Sequence, residues 1–149
     1  MEKLNKPSMN SVLFTKNQLL LLFVFFACLF SRIVTSIYYI EDIDSLRFAL
    51  SLYDYNLSNL QPHFPGYPVF CFFAIIFYAI IPSMGISFSI IGGISTFVII
   101  YFCLRLGNTD IKSPEGFVVS MIIFFNPMIW LMGNRYMPDL MGLALALPI

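Results

Sequence analysis

The chain has 149 residues, of which 59% are hydrophobic and 11% charged. A soluble domain carries about 25% charged residues, so a water-soluble globular class is excluded. The net charge is zero, which leaves no basic footprint for nucleic acid.

The chain opens on a mildly basic segment, Met1 to Asn17, with Lys3, Lys6 and Lys16. An apolar run follows from Gln18 to about Tyr39, long enough to span a bilayer. No small-residue cleavage site succeeds it, only Tyr38, Tyr39 and Ile40, so it reads as an uncleaved anchor. The lysines before it predict a cytoplasmic N-terminus. Arg32 lies past the middle of this run, where an unpaired charge costs about 2.5–3.5 kcal/mol. Facing a polar cavity, an acid or an anionic ligand would relieve that cost; snorkelling to the outer interface is the other reading.

Next comes the acidic stretch. Four of the eight carboxylates, Glu41, Asp42, Asp44 and Asp54, and the single histidine, His63, fall between the first two apolar runs. Ile43, Leu46, Leu50, Tyr53 and Leu57 recur at helical spacing, which predicts an amphipathic helix over Ile43–Leu57 lying in the membrane interface. Two readings of the acids stand. Asp42 and Asp44 can act as general bases at a water-accessible membrane edge, or hold a divalent cation against a phosphate. Equally, Glu41, Asp42 and Asp44 suit the positive N-terminus of a helix. In Pro62-His63-Phe64-Pro65-Gly66-Tyr67-Pro68 the prolines fix a turn. His63 is rigidly placed there, either to donate to a phosphate oxygen or as an ordered surface residue.

Further apolar runs cover Tyr67–Ile81, Ile86–Leu106 and Phe117–Met132, and another starts near Leu140. If every run crosses, Arg105 and Lys112 fall outside, against the positive-inside rule. If the short Tyr67–Ile81 run is a half-span, they become cytoplasmic, and Asp139 faces the same side as the acidic stretch; this second topology is favoured. Asn134-Arg135-Tyr136-Met137-Pro138-Asp139 is a polar island. Arg135 there can bind phosphate or anchor the span at the headgroups, and Asp139 can cap the next helix. Cys28, Cys71 and Cys103 lie in apolar runs without ligand spacing and read as packing residues. No metal site is expected. The final apolar pattern ends without a cap, so the chain is expected to be the N-terminal part of a longer membrane domain.

Taken in order, these pieces resemble the integral-membrane glycosyltransferases of the GT-C fold, nearest the branch of protein O-mannosyltransferases and lipid A aminoarabinose transferases. The resemblance covers residues 18–149 and rests on four features. They are Arg32 late in the first span, Asp44 soon after it, the Pro62–Pro68 turn with His63, and Arg135-Tyr136-x-x-Asp139 before an apolar helix. Ser45 stands where many members have Glu, so one carboxylate replaces two. The resemblance implies an all-α polytopic transmembrane bundle with an interfacial helix in its first outer loop. It implies transfer of a sugar from a polyprenyl-phosphate carrier to an acceptor on the outer face of a plasma or secretory membrane. Asp44, or Asp42, would be the base; His63, Arg135 and Arg32 would steady the phosphate, and Asp139 would orient the acceptor. A transporter or flippase fragment and a non-catalytic assembly subunit are the alternatives.

Overall fold

The computed structural model describes residues 16–148. The basic segment with Lys3 and Lys6, and the side chain of Lys16, lie outside the described residues. All regular structure among the described residues is helical. It comprises α1 (Lys16–Val34), α2 (Ile43–Leu50), a 3-10 turn (Leu57–Asn59) and α3 (Pro68–Ile80). After these come α4 (Met84–Leu106), α5 (Pro114–Phe124), α6 (Pro127–Asn134) and α7 (Asp139–Ala146). Two helices, Asn17–Val34 and Met84–Leu106, are long and apolar enough to cross a membrane. A third crossing exists if α5 and α6, bent by 52° to each other, are one span.

Helix starts follow local chemistry. Pro68, Pro114 and Pro127 occupy first-turn positions, where a missing N–H costs nothing. Side chains of Asp42, Ser113 and Asn126 accept from the first free N–H groups of α2, α5 and α6. The same Asn126-Pro127 pair divides what the apolar pattern shows as a continuous run from Phe117 to Met132, because proline cannot continue the helical ladder. The first run also ends sooner than its hydrophobicity predicts. Ser36 donates to the Ile33 carbonyl at 2.8 Å and Thr35 to that of Ser31, and α1 stops at Val34.

Helix α4 is the centre of the bundle, in contact with α1, α3, α5, α6 and α7. Its buried residues include Ser87, Ser89, Gly92, Gly93, Ser95 and Thr96. A Cβ built on Gly92 would lie 1.7 Å from the Gly133 carbonyl oxygen of α6, and one on Gly93 2.9 Å from the Leu29 Cα of α1. Small residues therefore allow backbones to meet here, as in membrane helix packing. Helices α1 and α4 are antiparallel: Ser36 donates to Ser89 at 3.0 Å near one end, Phe25 meets Phe97 midway, and Asn17 donates to Asp110 at the other. The bent pair α5–α6 runs the full length of α1. It starts beside Asp110 and ends where Asn134 donates to the Thr35 carbonyl at 2.9 Å.

Helix α3 does not accompany α4. Phe70 near its start stacks on Phe88, and the carbonyl of Ile81 at its end accepts from Ser87. Adjacent α4 residues thus touch both ends, so α3 lies across the first turns of α4. Its 13 residues measure about 20 Å, less than a hydrocarbon core of about 30 Å. The acidic stretch, α3 and the α6–α7 turn consequently share one end of the bundle.

The predicted helix over Ile43–Leu57 is corrected to Ile43–Leu50. Ser51 donates to the Phe48 carbonyl, and Asn56 caps the 3-10 turn by accepting from Ser58 and Asn59. Asn56 and Gln61 then close that turn with two backbone hydrogen bonds. The face that enters the protein core is the opposite of the apolar stripe read from the spacing. Phe48, Ala49 and Leu52 enter a core with Phe70, Cys71, Ala74, Phe88, Ile91 and Tyr136, while Ile43 stays 60% exposed and Leu50 and Tyr53 face outward.

Gly92→Ala is expected to destabilise the bundle by about 1–3 kcal/mol, the usual cost of overpacking. Gly142→Ala should not, since nothing lies within 4 Å of its added Cβ. Thermal unfolding of the detergent-purified protein reads both; equal midpoints for the two variants would remove the close α4–α6 approach.

Candidate functional site

The site is assembled at the end of the bundle that holds the acidic stretch. Extended backbone after α1 delivers Glu41 and Asp42 to the start of α2. Asp42 is the N-cap: its Oδ1 accepts from the Ser45 N–H at 2.7 Å. Its Oδ2 pairs with Arg135 Nη2, while Arg135 Nε donates to Glu41 at 2.7 Å. One guanidinium from the α6–α7 turn therefore holds both carboxylates. The Ser45 N–H, aided by Arg135 and opposed by partial burial, keeps the Asp42 carboxyl below the usual carboxylate range.

Asp44 is placed differently. It lies in the first turn of α2 with its side chain 40% exposed. His63 Nδ1 stands 3.6 Å from its Oδ1, and Arg47 Nη1 stands 3.4 Å away. The imidazole, 24% exposed, is lodged edge-on against Phe48 and Tyr67, with ring centroids 5.3 and 5.8 Å away. Tyr67 takes a left-handed conformation (φ 41°) just before α3, and Gly66 before it has φ 88°. Tyr55 secures this turn by donating to the Gly66 carbonyl at 3.1 Å. His63 Nδ1 is buried and has no hydrogen-bond partner among the described residues.

Behind Tyr67 opens a cavity of about 440 Å³, lined by Pro68, Phe70, Pro138, Asp139, Met141 and their neighbours. Asp139 is exposed in the first turn of α7; Pro138, not Asp139, is the cap residue, and no side chain caps that helix. Asp44, His63, Tyr67 and Asp139 thus border one end of the bundle, with a largely apolar hollow between α3 and α7.

Arg32 stands apart, and its surroundings correct the expected polar cavity. The residue is fully buried, with its guanidinium carbon 4.0 Å from the Trp130 ring centroid and 5.9 Å from that of Phe124. None of its three guanidinium nitrogens has a hydrogen-bond partner among the described residues. The aromatic faces supply cation–π attraction in place of a counter-ion. Gly133 makes this possible, since a Cβ there would stand 2.8 Å from Arg32 Nε.

Two elements that position the site were not foreseen from sequence. Tyr136 donates to the Ile37 carbonyl at 2.6 Å and stacks on Phe88 at 4.6 Å. Asn134 donates to both the carbonyl and the hydroxyl of Thr35. Both belong to the polar island around Arg135, whose density of hydrogen-bonding groups beside an apolar run was the available signal. Among the described residues no three His, Cys, Asp or Glu side chains are grouped so as to hold a metal ion. No family model, no curated protein and no solved structure matches the chain.

Because its folded-state pKa is lowered, Asp42 contributes stability that is complete above the ordinary carboxylate range. That stability is lost as pH falls through the lowered value. Asp42→Asn keeps the cap acceptor and removes the charge. The fall in melting temperature from neutral pH to about pH 3 is expected to be smaller in this variant than in the unchanged protein. An identical fall in both would take the ionised Asp42 out of the account.

Proposed function

We propose that the chain is the N-terminal part of a GT-C-like glycosyltransferase, which moves a sugar from a polyprenyl-phosphate carrier to an acceptor hydroxyl or amine. In this reading the protein is multi-pass with its N-terminus cytoplasmic. The α2–α3 end lies on the outer face of a plasma or secretory membrane. The exposed Ile43, Leu50 and Tyr53 side of α2 rests in the interface.

The observation that carries the reading is the juxtaposition of Asp44 and His63. A half-exposed carboxylate stands 3.6 Å from an imidazole on a rigid turn, and that imidazole packs on Tyr67, which with Asp139 lines the hollow. Asp44 is the base, since His63 and Arg47 both meet its Oδ1 and leave Oδ2 free among the described residues, while both oxygens of Asp42 are engaged. His63 offers its ring to a phosphate oxygen, stabilising charge that develops on the leaving group. Asp139, at the rim of the hollow, faces the acceptor. Arg135 positions the acidic stretch, because its own charge is answered by Glu41 and Asp42.

Transfer from a labelled polyprenyl-phosphate sugar in purified membranes tests this. Asp44→Asn is expected to lower turnover by about 10²–10⁴-fold, the usual contribution of a general base. Loss on Asp42→Asn with Asp44→Asn active would move the base to Asp42. Normal turnover in both would end the enzymatic reading of this stretch.

A further inference from the structure

The end of the bundle opposite the acidic stretch holds a second hollow, of about 540 Å³. It opens where the start of α1 and the end of α4 diverge. Leu21, Leu104 and Ile111 form its apolar wall, and Asn17, Tyr101, Arg105, Asn108, Thr109 and Asp110 its polar one. The hollow thus lies at the ends of the two helices long enough to cross a membrane, and a crossing by both brings it to the headgroups.

Its polar groups divide into those already used and those left over. The last carbonyls of α4 are occupied: Gly107 N–H donates to Cys103, Asn108 N–H to Arg105 and Thr109 N–H to Leu104. The Asp110 carboxylate accepts from the Lys112 N–H at 3.2 Å and from Asn17 Nδ2 at 3.2 Å, which holds it below the usual carboxylate range. Its backbone is pinned as well, since a Cβ on Gly116 would stand 2.1 Å from the Asp110 carbonyl oxygen. Left over are the Arg105 guanidinium and Asn17 Oδ1. Arg105 forms no ion pair among the described residues, with Asp110 or with any other acid, and Asn17 Oδ1 is buried without a donor.

A fixed anion and an unpaired cation line one hollow without neutralising each other. The complementary ligand carries a phosphate and, a few bonds away, an ammonium that can donate hydrogen bonds. We propose that this hollow binds a phosphoethanolamine group, supplied by a membrane aminophospholipid, with its phosphate on Arg105 and its ammonium on Asp110 and Asn17 Oδ1. A choline group fits poorly. It has no N–H to offer, and sites for quaternary ammonium use several aromatic faces, whereas Tyr101 is the single ring in this lining. A glycerol headgroup brings no cation to Asp110, whose carboxylate then keeps only the more distant charge of Lys112. Basic pockets between helices at the membrane edge are established headgroup sites, and the added carboxylate gives this one its preference. The site is independent of the transferase reading.

Native mass spectrometry of the detergent-purified protein with phosphatidylethanolamine, phosphatidylcholine or phosphatidylglycerol tests the assignment. Phosphatidylethanolamine should be retained about tenfold better than the other two, the value of one hydrogen bond to a charged group. Asp110→Asn, which keeps an acceptor for the Lys112 N–H, should abolish that preference while leaving phosphatidylglycerol retention unchanged. Arg105→Gln should weaken all three lipids. Thermal midpoints equal to that of the unchanged protein show that both variants are folded. Equal retention of the three lipids, or a preference untouched by Asp110→Asn, overturns the proposal. Soluble glycerophosphoethanolamine should not displace the lipid; displacement would assign the hollow to a soluble phosphoamine and overturn the lipid source.

Discussion

Contact between the backbones of α4 and α6 at Gly92 and Gly133 sets the geometry of the whole bundle. In an apolar solvent helices gain little from hiding apolar surface, so close van der Waals approach must hold them together. The glycines make that approach possible, and Gly93 does the same toward α1. Two buried hydroxyl groups on the same helix are paired within it: Thr96 and Ser87 return their protons to carbonyls one turn back. With α4 fixed between α1 and α6, the ends of those two helices come together. Asn134 then reaches Thr35, and Tyr136 reaches Ile37.

That meeting of ends is what makes a site from residues far apart in sequence. Arg135 follows directly from the Asn134 contact and finds Glu41 and Asp42 in reach. The acidic stretch is thereby divided. Two carboxylates are bound to a structural cation, and Asp44, in the first turn of α2, is left beside an imidazole. The division depends on Phe48, which is fully buried and forms the surface against which His63 and Tyr67 are set.

Much of this was legible in the sequence, and what was not has identifiable causes. The long apolar runs marked α1 and α4 well, because length and hydrophobicity suffice for a crossing helix. The shortness of the Tyr67–Ile81 run was also visible, and α3 has 13 residues, fewer than a crossing helix needs. Periodicity overstated the length of α2, since apolar side chains continue at helical spacing to Leu57 while the helix stops at Leu50. In the fold, Ser51 and Asn56 offer the backbone other partners, and the face with Phe48 is the buried one. The break at Asn126-Pro127 was masked by apolar residues on either side. The partners of Arg32 and Arg135 were invisible for another reason: they lie roughly a hundred positions away in sequence, and no local pattern announces a tertiary pair.

The ring partners of Arg32 have a consequence for how the chain enters a membrane. Phe124 and Trp130 stand on opposite sides of the Asn126-Pro127 break, one on each limb of the bent pair. Synthesis proceeds from the N-terminus, so α1 emerges long before either ring exists. Arg32 lies in the last turn of α1, close to the helix end at Val34, so until then its guanidinium faces lipid or water near the membrane edge, at less than the cost of about 2.5–3.5 kcal/mol that holds at a helix centre. Arrival of the bent pair removes that penalty only if the bend is already present, because a straight helix could not bring both rings to one charge. Arg32 therefore gives the kinked helix a reason to dock against the end of the first.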